Sequence, residues 1–362
     1  MDIKRIAIST GGGDAPGLNA VIRAVVLVAK RMGWGVIGIR RGYEGLLDIS
    51  QTIELTEEIV RDITTLGGTI IGTTNRGNPF EYPMKQPDGT IAAVDRSQEV
   101  LDNFKKLTLD CLVAVGGDGS LRIAKQLFDL GMPIVGIPKT IDNDLESTVI
   151  TFGCDTAVSR ATEALDILHS TAEAHRRVMV VEVMGRYAGW IAMNSGVSSA
   201  ADVILIPEIP FDIEKVCQKI MEREACGLGY SIVVVAEGAK PKGGEMVFSG
   251  KKEIGREVKL GGISTLLTQE IEARTGKETR SLVLGHLQRG GGPTTFDRLI
   301  ALRFGAAAVR AITEGKFGCM VALHPPTVEY VPISEAVSRT KTVPLDCDTI
   351  ITARSLGICL GD

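Results

Sequence analysis

The sequence lacks the features that mark several classes of protein. Its seven cysteines are scattered and form no Cys-x-x-Cys pair, which argues against a zinc site or a dithiol redox centre, so we expect reduced thiols. A membrane span needs about 18 apolar residues in a row, and no run approaches that length. No basic leader precedes the first strand. We therefore expect a cytoplasmic protein without a membrane partner. The net charge of −4 comes without a long basic run, which argues against nucleic acid as a main partner.

The glycine-rich stretch at 11–17, Gly-Gly-Gly-Asp-Ala-Pro-Gly, lacks the two commonest phosphate-binding patterns. No Gly-Lys-Ser or Gly-Lys-Thr follows it, so it is not a Walker loop, and Pro16 stands where Gly-x-Gly-x-x-Gly requires its last glycine. Taken alone, the stretch is compatible with either a phosphate loop or a simple tight turn.

The chain has the composition of a globular protein. Its 362 residues suffice for two domains of ordinary size, and 44% of them are hydrophobic while 23% are charged. Apolar strands ending at Thr10, Ile39, Val115 and Ile137 alternate with helical segments, and a second such series follows residue 152. We predict two doubly wound α/β domains with mainly parallel sheets and an active site in the cleft between them, because ligands bind at the carboxyl ends of parallel strands.

The segment Gly-Gly-Asp-Gly-Ser at 116–120 follows an apolar strand and precedes a helical pattern. Its backbone N–H groups would point at a ligand above the turn, and its small residues would let a phosphate chain approach. The carboxylate of Asp118 suits Mg²⁺ that bridges such phosphates. A Gly-Gly-Asp-Gly turn alone is also common in hairpins.

The loop after the next strand, Pro-Lys-Thr-Ile-Asp-Asn-Asp at 138–144, favours a functional interpretation. Asp142 and Asp144 would lie at the same sheet edge as Asp118, and three crowded carboxylates repel one another unless a metal ion or a reaction requires them. Lys139 and Thr140 add a cation and a hydroxyl. The two loops together predict a nucleotide-phosphate site.

Cations recur at strand starts and ends in the second half of the chain. They are Arg177, Arg186, Arg280, His286 and Arg289. A single exposed arginine is ordinary, but five recurring cations favour phosphate binding, because guanidinium groups bind phosphates in bidentate fashion.

Three further segments carry local predictions. Residues 56–62 form an acidic, helix-like stretch, the proline- and glycine-rich segment 78–90 predicts an excursion from the sheet, and the segment 240–263, rich in glycine and lysine, predicts a surface loop. The tail past Pro325 shows no clear pattern.

Taken together, these motifs resemble the 6-phosphofructokinases, a family that uses ATP or pyrophosphate. The resemblance covers roughly residues 3–320 and rests on five segments: Gly-Gly-Gly-Asp-Ala-Pro-Gly-Leu-Asn-Ala at 11–20, Gly-Gly-Asp-Gly-Ser at 116–120, Lys-Thr-Ile-Asp-Asn-Asp at 139–144, Glu-Val-Met-Gly-Arg at 182–186 and Leu-Gly-His-Leu-Gln-Arg-Gly-Gly at 284–291. No single segment suffices, but the set is highly specific.

The resemblance implies residues for the phosphoryl donor and its metal ion. ATP would bind to Gly13, Tyr43, Arg76, Gly77, Gly116, Gly117, Asp118, Gly119 and Ser120. Asp118 would hold Mg²⁺, with Asp144 contributing through water.

The resemblance also implies residues for fructose 6-phosphate. They are Lys139, Thr140, Asp142, Arg177, Met184, Gly185, Arg186, Glu237, Arg280, His286 and Arg289. Asp142 would be the general base toward the 1-hydroxyl, and Arg186 would neutralise charge in the transition state. In family members Arg177 and Arg280 reach across from a neighbouring subunit, which implies a homo-oligomer, usually a tetramer, with shared active sites.

The implied reaction gives fructose 1,6-bisphosphate, the product of the committed step of glycolysis. We predict that residues 1–153 plus 288–338 form the nucleotide-binding domain and that residues 154–287 plus 339–362 form the sugar-phosphate-binding domain.

The phosphoryl donor has an alternative. Pyrophosphate-using members of the family usually have an aspartate at the position of Gly119 together with a lysine at position 139, so these two positions point to opposite donors here. We predict ATP, because an absent side chain cannot exclude the α-phosphate whereas one cation serves either donor.

Two other functions compete with the kinase. NAD and lipid kinases share Gly-Gly-Asp-Gly, but the Asp142 loop and the set of arginines favour a phosphofructokinase. A catalytically silent subunit that only binds sugar phosphates is disfavoured because Asp118 and Asp142 are both present.

Overall fold

Strands and helices alternate along most of the chain. The computed structural model describes residues 3–248, 250, 258 and 260–362. The strands of this part are β1 (Arg5–Thr10), β2 (Gly35–Ile39), β3 (Thr52–Glu54), β4 (Tyr82–Lys85), β5 (Ile91–Val94), β6 (Cys111–Gly116), β7 (Ile134–Thr140), β8 (Phe152–Gly153), β9 (Val178–Val183), β10 (Val203–Leu205), β11 (Ser231–Ala236), β12 (Thr279–Val283), β13 (Cys319–His324) and β14 (Thr327–Pro332).

The helices of the same part cover both faces of the sheets. They are α1 (Leu18–Arg31), α2 (Glu44–Leu47), α3 (Ser97–Lys106), α4 (Asp118–Asp129), α5 (Cys154–His175), α6 (Trp190–Ser198), α7 (Ile213–Ala225), α8 (Ile263–Thr275), α9 (Thr295–Thr313), α10 (Ile333–Ala336) and α11 (Asp348–Ser355). Short 3₁₀ turns lie at Ile49–Gln51, Pro79–Glu81 and Gly285–Arg289.

The larger sheet has eight strands within the described ranges, in the order β14-β13-β7-β6-β1-β2-β3, with β8 paired to β7. Its five central strands run parallel, and the edge strands β14 and β3 are antiparallel. Alternate residues of β6 face opposite layers: Val113 packs toward α1 and α9, whereas Leu112 packs toward α4. Because both faces are buried, the central strands are apolar throughout, as the sequence pattern indicates.

The smaller sheet is parallel throughout, in the order β10-β11-β9-β12. Val234 of β11 packs with α5, α6 and α11, and its neighbour Val235 packs with α7 and α8 on the other face. Two helix-covered, mainly parallel sheets confirm the predicted fold class. The exact limits of the two domains stay a prediction.

Two local predictions have different outcomes. The segment 78–90 leaves the main sheet and contributes to the separate two-stranded sheet β4-β5, as predicted. The prediction of a helix-like stretch at 56–62 is wrong, because these residues form a run of turns. Seven residues form too short a helix to be stable alone, and Val60 is instead buried in the core beside α1.

The segment 240–263 and the tail complete the description. Residues 249, 251–257 and 259 of the predicted surface loop lie outside the described residues. The tail past Pro325, which showed no pattern in the sequence, adds β14 to the larger sheet beside β13 and packs α11 on the smaller sheet. In the part of the chain that the structure describes, no helix has the length and apolarity needed to cross a membrane.

Candidate active site

Three loops meet at the carboxyl edge of the larger sheet. They follow β1, β6 and β7, which are neighbours in the order β7-β6-β1. The backbone N–H of Gly11 donates to the carbonyl of Val115 at 2.9 Å, and the Nζ of Lys139 donates to the carbonyl of Gly13 at 2.5 Å. The stretch 11–17 is therefore not an isolated turn. Together with the loops 116–120 and 138–144 it forms one group of contacting loops, here called the glycine cradle.

At two positions of this cradle, Gly11 and Gly116, there is no room for a side chain. A Cβ on Gly116 would lie 2.3 Å from the Cβ of Ser120, and a Cβ on Gly11 would lie 2.6 Å from the Oγ of Ser120. The side chain of Ser120 thus lies close to both glycines and fills the space that their side chains would need. Gly119 differs, because nothing lies within 4 Å of a Cβ built on it and open space stands above the first turn of α4.

Tyr43 supports the cradle from below. The phenol is buried, and its hydroxyl donates to the carbonyl of Ser120 at 2.8 Å. Burial raises the pKa of Tyr43 well above its ordinary value. Its observed contact is therefore with the loop, and its predicted contact with a nucleotide stays a prediction.

The loop with Arg76 and Gly77 adjoins the first glycine stretch. The N–H of Gly12 donates to the carbonyl of Thr74 at 2.9 Å, and the N–H of Arg76 donates to the Oγ1 of Thr74 at 3.0 Å. Gly77 has a φ of +80°, a conformation that favours glycine. The backbone of Arg76 thus lies beside the glycine cradle, and its side chain is exposed.

The three carboxylates predicted at this edge differ in their surroundings. The Oδ2 of Asp118 accepts from the Nε of Arg122 at 2.8 Å. The N–H of Asp142 donates to the Oγ1 of Thr140 at 3.1 Å, where β7 ends. Burial, and then repulsion from Asp142, raises the pKa of Asp144 to about 6, and its buried Oδ1 has no hydrogen-bond partner.

These carboxylates fit a magnesium ion that also binds phosphate. The unpartnered Oδ1 of Asp144 is an oxygen acceptor without a donor, and Asp118 opens the helix beside it. Across the described ranges, no three His, Cys, Asp or Glu side chains are arranged to hold a metal ion by themselves. Mg²⁺ usually takes one or two carboxylates and completes its shell with water and substrate phosphates, so the arrangement suits it.

Lys139 and Arg289 are neighbouring cations at the point where loops of the two sheets meet. Lys139 lies in β7, which continues three residues beyond the predicted end because it pairs with β8. Burial, and then the neighbouring Arg289, lowers the pKa of Lys139 to about 7. The Nη1 of Arg289, from the 3₁₀ turn after β12, donates to the carbonyl of Asp14 at 2.8 Å. The ligand edges of the two sheets therefore face each other.

The smaller sheet contributes its own carboxyl edge. Met184, Gly185 and Arg186 follow β9, and Glu237 follows β11. A Cβ on Gly238 would lie 1.9 Å from the carbonyl oxygen of Arg186, so these two loops touch through their backbones. Burial, and then Glu182, raises the pKa of Glu237.

Gln288 holds this edge together, and its role was missed in the sequence. Its buried side chain accepts from the N–H of Met184 at 3.3 Å and donates to the carbonyl of Gly285 at 3.2 Å. The exposed imidazole of His286 lies in the same 3₁₀ turn. A polar residue between His286 and Arg289 was the available signal, but nothing in the sequence told a buried amide from an exposed one.

Arg177 and Arg280 lie at the opposite edge of the smaller sheet. Arg177 precedes β9, and Arg280 is the second residue of β12, paired with Met179. Both guanidinium groups contact the Oε1 of Glu278, at 2.8 and 2.5 Å. The six residues of β9 span roughly 20 Å, so the structure does not bring these two arginines to the site of their own chain.

Comparisons with known proteins agree with this arrangement. The family model described as Phosphofructokinase matches residues 5–312. A relative from Chloroflexus aurantiacus, named ATP-dependent 6-phosphofructokinase, is 48% identical over 359 residues, which are 99% of this chain and 98% of that protein. A relative from Amycolatopsis mediterranei, named pyrophosphate–fructose 6-phosphate 1-phosphotransferase, is 49% identical over 345 residues, which are 94% of this chain and 97% of that protein.

A solved structure has the same fold. The phosphofructokinase of Pichia pastoris in the T-state matches with a TM-score of 0.80 at 30% identity. The match covers 98% of this chain and 36% of the yeast chain, so this chain spans about a third of that length. With the family model matching most of its length and a relative 48% identical across 99% of it, the chain belongs to the phosphofructokinase family.

Proposed function

We propose that this protein transfers a phosphoryl group from ATP to the 1-hydroxyl of fructose 6-phosphate and thereby catalyses the committed step of glycolysis in the cytoplasm. One observation carries the proposal. The loop with Asp142 follows β7, the strand beside the glycine loops of the larger sheet, and Arg289 from the cationic edge of the smaller sheet donates to the carbonyl of Asp14 in the first of those loops. A donor phosphate and an acceptor sugar bound on either side would meet at Asp142.

The choice of ATP depends on Gly119. The open space above it would accept the α-phosphate, which pyrophosphate lacks. The relative from Chloroflexus aurantiacus is named ATP-dependent, which supports the same choice. Pyrophosphate is the second candidate, because buried Lys139 would suit its compact charge and one relative carries a pyrophosphate-dependent name.

The reaction itself asks little covalent chemistry of the protein. Phosphoryl transfer passes through a loose transition state, so the residues mainly orient the nucleophile and neutralise charge. Asp142 would take the proton of the 1-hydroxyl, and Arg186 would balance charge on the transferred group. Asp118, with Asp144 acting through water, would hold Mg²⁺, which when bound neutralises charge on the donor phosphates.

A homo-oligomer, in this proposal a tetramer, would complete the sugar-phosphate side. Arg177 and Arg280 would bind the 6-phosphate of a neighbouring chain, beside His286 and Arg289 of that chain. An apolar groove of about 820 Å³ near His286 supports contact with a second copy of this chain. It is lined by Ile167, Val283 and Leu287, which are 67%, 56% and 72% exposed.

An assay of the purified protein tests the proposal. Fructose 6-phosphate turnover is coupled to a reporter reaction with ATP or pyrophosphate as donor, at fixed magnesium concentration. We expect a kcat/KM that favours ATP. A preference for pyrophosphate would overturn the donor, and the absence of turnover with either donor, together with tight binding of fructose 6-phosphate, would identify a silent sugar-phosphate-binding subunit instead.

A further inference from the structure

The segment 339–343, here called the C-terminal strap, contacts the loop 141–151, here called the base loop. Thr340 of the strap forms an antiparallel bridge with Leu145 of the base loop. The N–H of Lys341 donates to the carbonyl of Asp144 at 2.9 Å. These contacts join residues almost 200 positions apart in the sequence to the loop that carries the proposed base.

We propose that Lys341 is a positioning residue, which holds the base loop in the conformation that presents Asp142 to the sugar hydroxyl. This inference rests on the proposed function, in which Asp142 is the general base. Lys341 itself touches no group that reacts.

The ammonium of Lys341 uses all of its donors on the base loop. Its Nζ donates to the carbonyls of Thr148 and Val149, both at 2.8 Å, and to the Oδ1 of Asn143 at 3.3 Å. An ammonium has three donors, so each is matched with an acceptor of the same loop. Hydrogen bonds from a charged donor are worth more than neutral ones. Removal of the ammonium would take the Lys341 donor from the carbonyl of Thr148, and would leave the Oδ1 of Asn143 and the carbonyl of Val149 with only their weaker neutral donors.

Asn143 is the residue through which this contact reaches the carboxylates. It lies between Asp142 and Asp144 and has a φ of +48°, a left-handed conformation that is strained for most residues. Its Oδ1 also accepts from the N–H of Thr151 at 3.0 Å. Because the turn at Asn143 sets the direction of both flanking residues, Lys341 controls where Asp142 points.

The other end of the strap connects to the smaller sheet. The N–H of Val343 donates to the Oε1 of Glu208 at 2.8 Å, and the same carboxylate accepts from Gly189 at the start of α6. The Nζ of Lys341 also lies 5.4 Å from the centre of the Trp190 ring, within the range of a cation–π contact. The strap therefore fixes the base loop relative to the segment that follows Arg186.

A double-mutant cycle tests the inference. We expect Lys341→Met to lower kcat by roughly 10-fold or more, since small displacements of a catalytic group cost up to about 100-fold, while the KM values for both substrates stay within about twofold. Lys341→Arg, which keeps a cationic donor, should recover most of the loss. Asp142→Asn alone should lower kcat by roughly 100-fold or more.

The combination of the two changes is decisive. If Lys341 acts through Asp142, the variant with both Lys341→Met and Asp142→Asn should be no slower than Asp142→Asn alone. Arg339→Met is the matched control, because this strap residue makes a pair with Glu146 that leaves its side chain 78% exposed, and its kcat should stay within about twofold of the parent.

The possible failures are distinguishable. An Asp142→Asn variant with near-normal turnover would remove the proposed base, and the role of Lys341 would fall with it. If Asp142→Asn is slow but Lys341→Met has a normal kcat, the role of Lys341 alone is overturned. The same holds if the kcat losses of the two single variants multiply in the double variant. Should Lys341→Met not fold, Lys341→Gln replaces it in the same cycle, with a neutral donor in place of the ammonium and the same criteria.

Discussion

The carboxyl edge of the larger sheet and the amino edge of the smaller sheet both carry residues predicted to bind phosphate, but they are built differently. At the first edge, backbone groups of three neighbouring loops, a buried lysine and a turn of helix contact one another. At the second edge, Arg177 and Arg280 share one carboxylate of Glu278, and the side chain of Arg280 is half exposed.

The first edge offers fixed backbone groups, whereas the second offers two side chains that are partly exposed to solvent. Backbone N–H groups at the start of a helix are fixed as soon as the strand, turn and helix form, so in the proposed function one chain alone would form the site for the phosphoryl donor. Guanidinium groups bind well only when a pocket surrounds them, and an exposed ion pair contributes only about 0–1 kcal/mol. In the proposed homo-oligomer, Glu278 would release both arginines to a phosphate bound by a second copy of the chain.

Gly119→Asp should produce the largest effect, and only on the donor side. The added carboxylate would occupy the room of the α-phosphate and repel it, so kcat/KM for ATP should fall by roughly 10³-fold. Because nothing lies within 4 Å of the new Cβ, the fold and the KM for fructose 6-phosphate should change little. Steady-state kinetics and a thermal melt measure both, and a variant that keeps its ATP activity would refute the steric argument.

Arg280→Ala should have a smaller effect, confined to the other edge. Loss of a charge-assisted hydrogen bond costs about 1.5–3 kcal/mol, so we expect the KM for fructose 6-phosphate to rise roughly 10- to 100-fold. The KM for ATP should stay within about twofold. Arg274→Ala is the matched control, since Arg274 is another arginine of the smaller domain that pairs with surface carboxylates. Equal changes in both KM values would contradict the assignment of Arg280 to the sugar phosphate.

The smallest expected effect is a change in the protonation of Lys139 when ATP binds. With its pKa lowered to about 7, much of Lys139 is neutral in the free enzyme at pH 8. A bound polyphosphate favours the ammonium, so ATP binding at pH 8 should take up a fraction of a proton, and at pH 6 almost none. Calorimetry in buffers of different ionisation enthalpy measures this uptake. The same uptake in Lys139→Met would show that another group is responsible.

The same depressed pKa has a consequence for stability. Between pH 7 and 10.5 the unfolded chain holds the proton of Lys139 and the folded chain releases it. Stability contributed by this group therefore rises with pH across that window, because the unfolded state binds more protons there.

Local features of this molecule could be predicted from the sequence, and features that depend on distant contacts could not. The strand ends at Thr10 and Ile39 were predicted correctly, because each apolar run is followed directly by a change of residue type, to glycine after Thr10 and to two arginines after Ile39. The extension of β7 through Thr140 required its pairing with β8, and the clamp by Lys341 joins residues 198 positions apart.

The arginines illustrate the same limit at the site. The sequence indicated that Arg177 and Arg280 lie near strand ends, but a strand start and a strand finish are on opposite edges of a parallel sheet. The family resemblance, and not the residue pattern, separated these two arginines from Arg289. Their position at the amino edge follows only once β9 and β12 are paired in register.

The central claim is that the donor side is complete within one chain whereas the sugar-phosphate side needs a second chain. Co-expression of Asp142→Asn chains with Arg280→Ala chains, each carrying a different tag, tests it most directly. Doubly tagged tetramers should recover activity to somewhat more than about a quarter of the parent, because random assembly gives about a quarter of all sites an intact Asp142 from one chain and an intact Arg280 from its neighbour, and the double tag removes the oligomers of a single variant, which have no such site. Hybrids no more active than the two variants measured separately would contradict the claim.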